Sequence, residues 1–155
     1  MTASNIPIIV HHDKLRKLAQ TILCNLGIPE EDAETAAAVL NASDLRGVDS
    51  HGMGRLKVYA KGLQLGLINK TPNIKIIKDA GSAILIDADN GLGIVTAPHI
   101  MQMCIDRARE TGVCAIGTRN TNHFGIAGYY SMMAARQGML GICSANTVPI
   151  AAPFG

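Results

Sequence analysis

The stretch Asp44-Leu45-Arg46-Gly47-Val48-Asp49-Ser50-His51-Gly52-Met53-Gly54-Arg55 crowds carboxylates, a hydroxyl, an imidazole and two guanidinium groups between glycines. The His51 imidazole can exchange a proton near neutral pH, and the neighbouring Ser50 hydroxyl can hydrogen-bond to it or to a ligand. Arg55 can grip a carboxylate through its planar fork, helped by Tyr59 one helical turn further on. These are the parts needed to oxidise a 2-hydroxy acid. Each also has a plainer reading. His51 alone is equally a histidine satisfied at a helix junction, Arg46 and Arg55 equally bind Asp44, Asp49 or solvent, and the glycines equally punctuate helices.

A second group lies downstream. His123, in Asn122-His123-Phe124-Gly125, falls where a strand gives way to a helix, a place where loops of α/β proteins meet small ligands. It is the second candidate acid or base, the alternative being an exposed imidazole at a helix start. Ser144, Asn146 and Thr147 form a polar group that can hydrogen-bond ribose, phosphate or amide, or simply turn the chain. Gly91-Leu92-Gly93-Ile94-Val95-Thr96 begins like a dinucleotide fingerprint. Its sixth position is threonine, however, and neither a βαβ setting nor a downstream acid is evident, which disfavours a standard Rossmann site. His11 and His12 with another histidine or cysteine make a conceivable metal site, but no HExxH or paired-cysteine spacing supports one, and no metal is expected.

The elements that must position these groups read as follows. Leu15, Leu18, Ile22 and Leu26 recur at helical spacing before Gly27. Pro29-Glu30-Glu31-Asp32 opens an alanine-rich helix through Ala33, Ala36, Ala37, Val39 and Leu40 that delivers the chain to Asp44. A third helix spans about Leu56 to Leu65 and ends near Gly66. Ser50 and His51 thus sit at a junction between helices. Ile74, Ile76 and Ile77 pair as a strand with Ile84-Leu85-Ile86 across an Asp79–Ser82 turn. Asp87 to Gly93 reads as a loop, Ala97 to Arg109 as a helix, Val113 to Gly117 as a short buried strand, Gly125 to Gln137 as a helix, and Met139 to Asn146 as a buried strand. Residues 1–70 are therefore expected to form a helical segment carrying the Ser-His site, and residues 71–155 the first part of an α/β domain.

Composition narrows the class. The chain has 155 residues, 48% hydrophobic and 17% charged, with four cysteines and a net charge of +2. That length can bury roughly two thirds of its unfolded surface in one core. Basic residues alternate with acids, so no nucleic-acid partner is expected. No apolar run reaches the ~18 residues of a membrane span, and Cys24, Cys104, Cys114 and Cys143 form no CxxC, reading as buried thiols of a cytoplasmic protein. Pro149 to Gly155 continues apolar to the last residue, where chains usually finish polar, so an N-terminal piece of a longer protein is expected.

Asp44 to Gly52, Asn120-Thr121-Asn122-His123-Phe124-Gly125 and Asn146-Thr147-Val148-Pro149 together resemble the type-2 malate/L-lactate dehydrogenase family. That family also holds sulfolactate, ureidoglycolate and diketogulonate oxidoreductases and a cyclic-imine carboxylate reductase. The resemblance implies hydride transfer between NAD or NADP and C2 of a small 2-hydroxy or 2-oxo acid, of malate or L-lactate type. It implies a helical segment followed by a mixed-sheet, non-Rossmann nicotinamide-binding region, incomplete at the C-terminus here, in a homodimer. By motif, His51 with Ser50 matches one member of the catalytic pair and His123 another acid/base position. Arg55 and Tyr59 match substrate contacts, and Asn146, Thr147 and Pro149 fall in the cofactor-binding motif, Thr147 where members often carry a serine. A reductase of a cyclic imine or sugar keto acid, or a non-catalytic truncated fragment, are the alternatives.

Overall fold

A computed structural model describes residues 9–146, so Thr147 and Pro149 lie outside the described residues. Two helices begin the chain, α1 over His12–Asn25 and α2 over Glu30–Asp44. The left-handed Gly27 (φ +94°) turns one into the other, a conformation that costs a side-chain-bearing residue more than glycine. Pro29 caps α2, where its missing N–H is harmless, and three acids occupy the first turn. The buried stripe of α2 is Ala33, Ala36, Ala37, Val39 and Leu40, so small residues let α1 approach closely. On α1 the inward face centres on Ala19 and Leu23; Leu18, expected inside, is 55% exposed because the helix turns it past the edge of that contact.

Two short 3₁₀ turns, Asp49–His51 and Met53–Arg55, lead into α3 over Leu56–Gln64. Tyr59 and Leu63 point from α3 into the same core as Leu23, Val39 and Leu40, and Leu92, Ile94 and Val95 complete it from a later helix. That later helix, α4 over Gly93–Thr111, joins two strands of a three-stranded sheet, order β1-β2-β3. Strand β1 (Lys75–Asp79) runs antiparallel to β2 (Ala83–Gly91), with a bulge at Ile77, and β2 runs parallel to β3 (Ala115–Thr121). Helix α5 spans Ala127–Ala135. Helices followed by a mixed sheet are thus what the fold holds.

Five expectations are corrected. Asp87 to Gly91 is not a loop but the end of β2, where two extra residues bulge between the pairs Asp87↔Arg119 and Gly91↔Thr121. Asp89 and Asn90 take left-handed φ values of 51° and 55°, tolerable for short polar side chains that bond locally. A βαβ unit, β2-α4-β3, does stand around Gly91-Leu92-Gly93; its strand, helix, strand order is legible in sequence, its parallel pairing around the glycines is not. The strand expected to be buried near Val113 to Gly117 is an exposed edge, with Val113 67% exposed, because only its β2 side is paired. Met139 to Asn146 forms no strand; Leu140 and Ile142 are exposed, since apolar residues without a neighbouring backbone ladder have nothing to pair with. The four cysteines are free and half-buried, short of the burial expected. Among the described residues no helix is long and apolar enough to cross a membrane.

Candidate functional site

The Ser50–His51 turn is built by its own neighbours. Buried Ser43 closes the chain after α2: its hydroxyl donates to the Val48 carbonyl at 2.8 Å while the Val48 amide donates back to the Ser43 carbonyl at 3.0 Å. Left-handed Gly47 makes that return possible. Asp44 then accepts the Met53 amide at 3.0 Å, pinning the second 3₁₀ turn to the end of α2. A Cβ at Gly52 would overlap the Asp44 carboxylate, so glycine is required there by close approach. Asp44 was not singled out as an anchor from sequence, and it binds a backbone amide instead of an arginine. Arg46 folds away, donating to the Ala42 carbonyl at 2.8 Å as a helix cap.

On this platform the Ser50 hydroxyl lies 2.8 Å from His51 Nδ1. Arg55 donates from Nε to the Ser50 carbonyl at 2.6 Å, and its two terminal nitrogens make no hydrogen bond among the described residues. A fork fixed at its neck and open at its prongs is the geometry a carboxylate needs.

His123 comes to the same place by a longer route. Asn122 reaches from the end of β3 to the bulge of β2, its amide donating toward Asn90 O at 2.9 Å, Asn90 Oδ1 at 3.0 Å and Gly91 O at 3.1 Å. The bulge is itself held by Asp87, which accepts from the Asp89 amide, Asn120 and Arg119, and by Asp89, which accepts from Asn69 and the Asn73 amide. These bonds hold the Asp87 carboxyl below its ordinary range, the Asp89 amide first among them. Gly93 lets the loop settle: a Cβ there would fall on the Asn122 carbonyl oxygen and 2.6 Å from that of His123. The glycine pair that resembled a phosphate turn therefore receives the chain's own backbone. Buried Tyr130 donates to the Phe124 carbonyl and closes the loop from α5.

The result is a stacked pair of imidazoles, His51 on His123, with ring centroids 5.2 Å apart. Tyr59, 3% exposed, places its hydroxyl 2.6 Å from His123 Nδ1, and the Gly125 amide donates to the same nitrogen at 3.3 Å. Burial of that side of the ring, then Arg55, then His51, lowers the His123 pKa below its ordinary value. Burial pushes Tyr59 up to about 12, Arg55 opposing it. Ser50, His51, Arg55, Tyr59 and His123 are thus one cluster, linked directly or through Ser50; Asn146 is exposed in irregular chain and is not part of it. His11 and His12 stack on one another at the start of α1 beside Asp13, whose carboxylate, not a histidine or cysteine, is the third donor within 4.8 Å.

Paired imidazoles beside a guanidinium fork are carried here by helices against a mixed sheet. The chain belongs to the malate/L-lactate dehydrogenase family, whose profile matches residues 10–155. It is 47% identical over 143 residues to a malate dehydrogenase of Pyrococcus abyssi, covering 92% of this chain and 40% of that protein. It is 46% identical over 147 residues to an L-sulfolactate dehydrogenase of Methanocaldococcus jannaschii, covering 95% and 43%. The solved malate dehydrogenase of Pyrococcus horikoshii OT3 superposes with a TM-score of 0.83 at 46% identity, over 84% of this chain and 38% of that one. A ureidoglycolate dehydrogenase (NAD(+)) of Escherichia coli is 33% identical over 146 residues. The chain therefore spans about 40% of the length of the curated relatives it matches.

Proposed function

We propose that the whole protein is an NAD(P)-dependent oxidoreductase acting at C2 of a small 2-hydroxy or 2-oxo acid, with malate first and sulfolactate and L-lactate next. The observation that carries this reading is the His51–His123 pair beside the open fork of Arg55. A 2-hydroxy acid has its carboxylate one bond from the reacting carbon, so a fork and an imidazole close together serve one molecule. The names of the relatives in malate and sulfolactate oxidation support the same class.

Arg55 binds the substrate carboxylate, and Tyr59 stands behind His123, bonded to its Nδ1. His51 exchanges the proton of the C2 oxygen, with Ser50 bonded to its far nitrogen. A bound nicotinamide would supply or take the hydride. The described residues fit the substrate half of such a reaction. The Gly91–Gly93 turn offers no open phosphate cradle, because the Asn122 and His123 backbone lies against Gly93 and Thr96 and Pro72 lie against Gly91. Asn146, Thr147 and Pro149 are proposed as cofactor contacts on motif alone. Residues 1–70 then carry the Ser-His half, and residues 71–155 begin the cofactor-binding part, in a cytoplasmic homodimer whose mass light scattering would report.

The test is nicotinamide absorbance of the whole protein with malate, sulfolactate and L-lactate, each with NAD and NADP. Substrate-dependent reduction that falls by ~10²–10⁴-fold in His51→Ala is expected. Unchanged turnover in that variant removes His51 from the reaction, and no reduction with any 2-hydroxy acid overturns the reading.

A further inference from the structure

The two histidines are bonded by partners of different kinds. Ser50 presents a hydroxyl to His51 Nδ1, and a hydroxyl donates or accepts with equal ease. His51 is therefore free to hold its proton on either nitrogen. The Gly125 amide presents a group that can only donate to His123 Nδ1. A nitrogen that accepts an amide proton carries none of its own, so the Tyr59 hydroxyl must donate to it as well. The single proton of the neutral ring is left on Nε2, which has no hydrogen-bond partner among the described residues of an otherwise exposed side chain.

This arrangement is braced. Gly125 has φ +76°, and Ile94 and Val39 pack within 3.1 and 3.2 Å of where a Cβ would stand, so the backbone that carries its amide is closely packed. Tyr59 is anchored in the main core. Burial raises the Tyr59 phenol to about 12, so at neutral pH it holds the proton that it donates to the ring. Arg55 and His51 face His123, and a positive charge on either opposes a second proton on it.

Resting on the function proposed above, we propose that Tyr59 is a positioning residue that, with the Gly125 amide, locks His123 as the Nε2–H tautomer. His123 then offers a fixed hydrogen-bond donor to the C2 oxygen, and His51 alone carries the exchanging proton. Tyr59 so acts through the imidazole and not as a direct substrate contact. A neutral imidazole that polarises a carbonyl in this way is an established catalytic device.

Long-range nitrogen–proton NMR of the histidine rings in the whole protein, without substrate, reads the tautomer directly. His123 is expected to show a bare Nδ1 and a protonated Nε2 at neutral pH. Tyr59→Phe is expected to give a mixed tautomer and a raised protonation midpoint, effects that loss of packing alone does not produce. An Nδ1–H or cationic His123 in the unaltered chain overturns the lock, whether or not Tyr59→Phe folds. Because no substrate is present, this result stands apart from whether the whole protein turns over a 2-hydroxy acid. The donor role is read in turnover of the whole protein. His123→Gln, whose amide can stand in for Nε2–H, should retain at least ~10-fold more activity than His123→Ala, within the ~10²–10³-fold a lost donor costs. Equal loss in the two, with disappearance of the pH dependence, would falsify the donor role.

Discussion

The segment from Asp44 to Arg55 and the segment from Asn120 to Gly125 deliver one imidazole each, and they are stabilised in opposite ways. The first is local: Ser43, Asp44, Gly47 and Gly52 fold it upon itself within a dozen residues, and the bond to its histidine comes from the adjacent serine. The second is made by distance: Tyr59, Asn90, Gly91 and Gly93 hold it from elements separated by tens of residues. A local scaffold leaves its imidazole adaptable, whereas a scaffold assembled from the core holds its imidazole in one state.

Substitutions can break either half selectively. Gly93→Ala is expected to have the largest effect on stability, as much as ~3 kcal/mol, because its new methyl meets backbone and not a movable side chain. Denaturant unfolding measures the loss, and the His123 ring signals should move while the Ser50–His51 signals stay. Asp44→Ala should do the converse, costing about 1–2 kcal/mol through the orphaned Met53 amide and disturbing His51 before His123. Equal disturbance of both rings by either variant would abolish the distinction between the two halves. Ser50→Ala should change stability by less than ~0.5 kcal/mol, since the residue is exposed, yet shift the His51 tautomer balance in the same NMR measurement.

The smallest effect is a pH dependence. The folded protein protonates His123 less readily than the unfolded chain, so as pH falls below the ordinary histidine value of 6.5 the unfolded chain binds that proton first. Stability contributed by the neutral ring is thus present at higher pH and lost as pH falls through this window. His123→Gln should flatten that slope in unfolding experiments between neutral and mildly acid pH, and a slope unchanged by the substitution would place its origin elsewhere.

These two halves also differ in how far they could be read from sequence. Helices α1, α2 and α3 follow from apolar period and from Gly27, Pro29 and Gly66, which act on the chain within a turn of where they stand. The Ser50–His51 site is legible for the same reason. Asp87-Ala88-Asp89-Asn90-Gly91 has the composition of a turn, and only Arg119, Asn69 and Asn120 make it the end of a strand. Met139 to Asn146 has the composition of a strand, and only a partner backbone could make it one. Tyr59 is legible from its spacing to Arg55, and by motif resemblance, only as a substrate contact; its bond to His123 spans 64 positions and leaves no local trace. Gly93 and Asn122 carried a visible signal, the glycine pair and the histidine motif, but their mutual fit is a property of the folded chain.

The bulge at Asp89 and Asn90 has a bearing on how the chain tolerates change in length. Two left-handed residues and a carboxylate shared among three donors fix how far β2 runs beside β3 before the chain leaves for His123. A residue inserted between Asp87 and Gly91 cannot be absorbed as slack; it must either expel a left-handed residue or shift the pairing, and each alternative moves the imidazole by a whole step. The stretch around Thr71 and Pro72, anchored at its ends by Asn69 and Asn73, can bulge outward instead. Insertions should therefore be tolerated there and disruptive beside Arg119 to Thr121, the residues that lead into the histidine, which makes the bulge a ruler for the site.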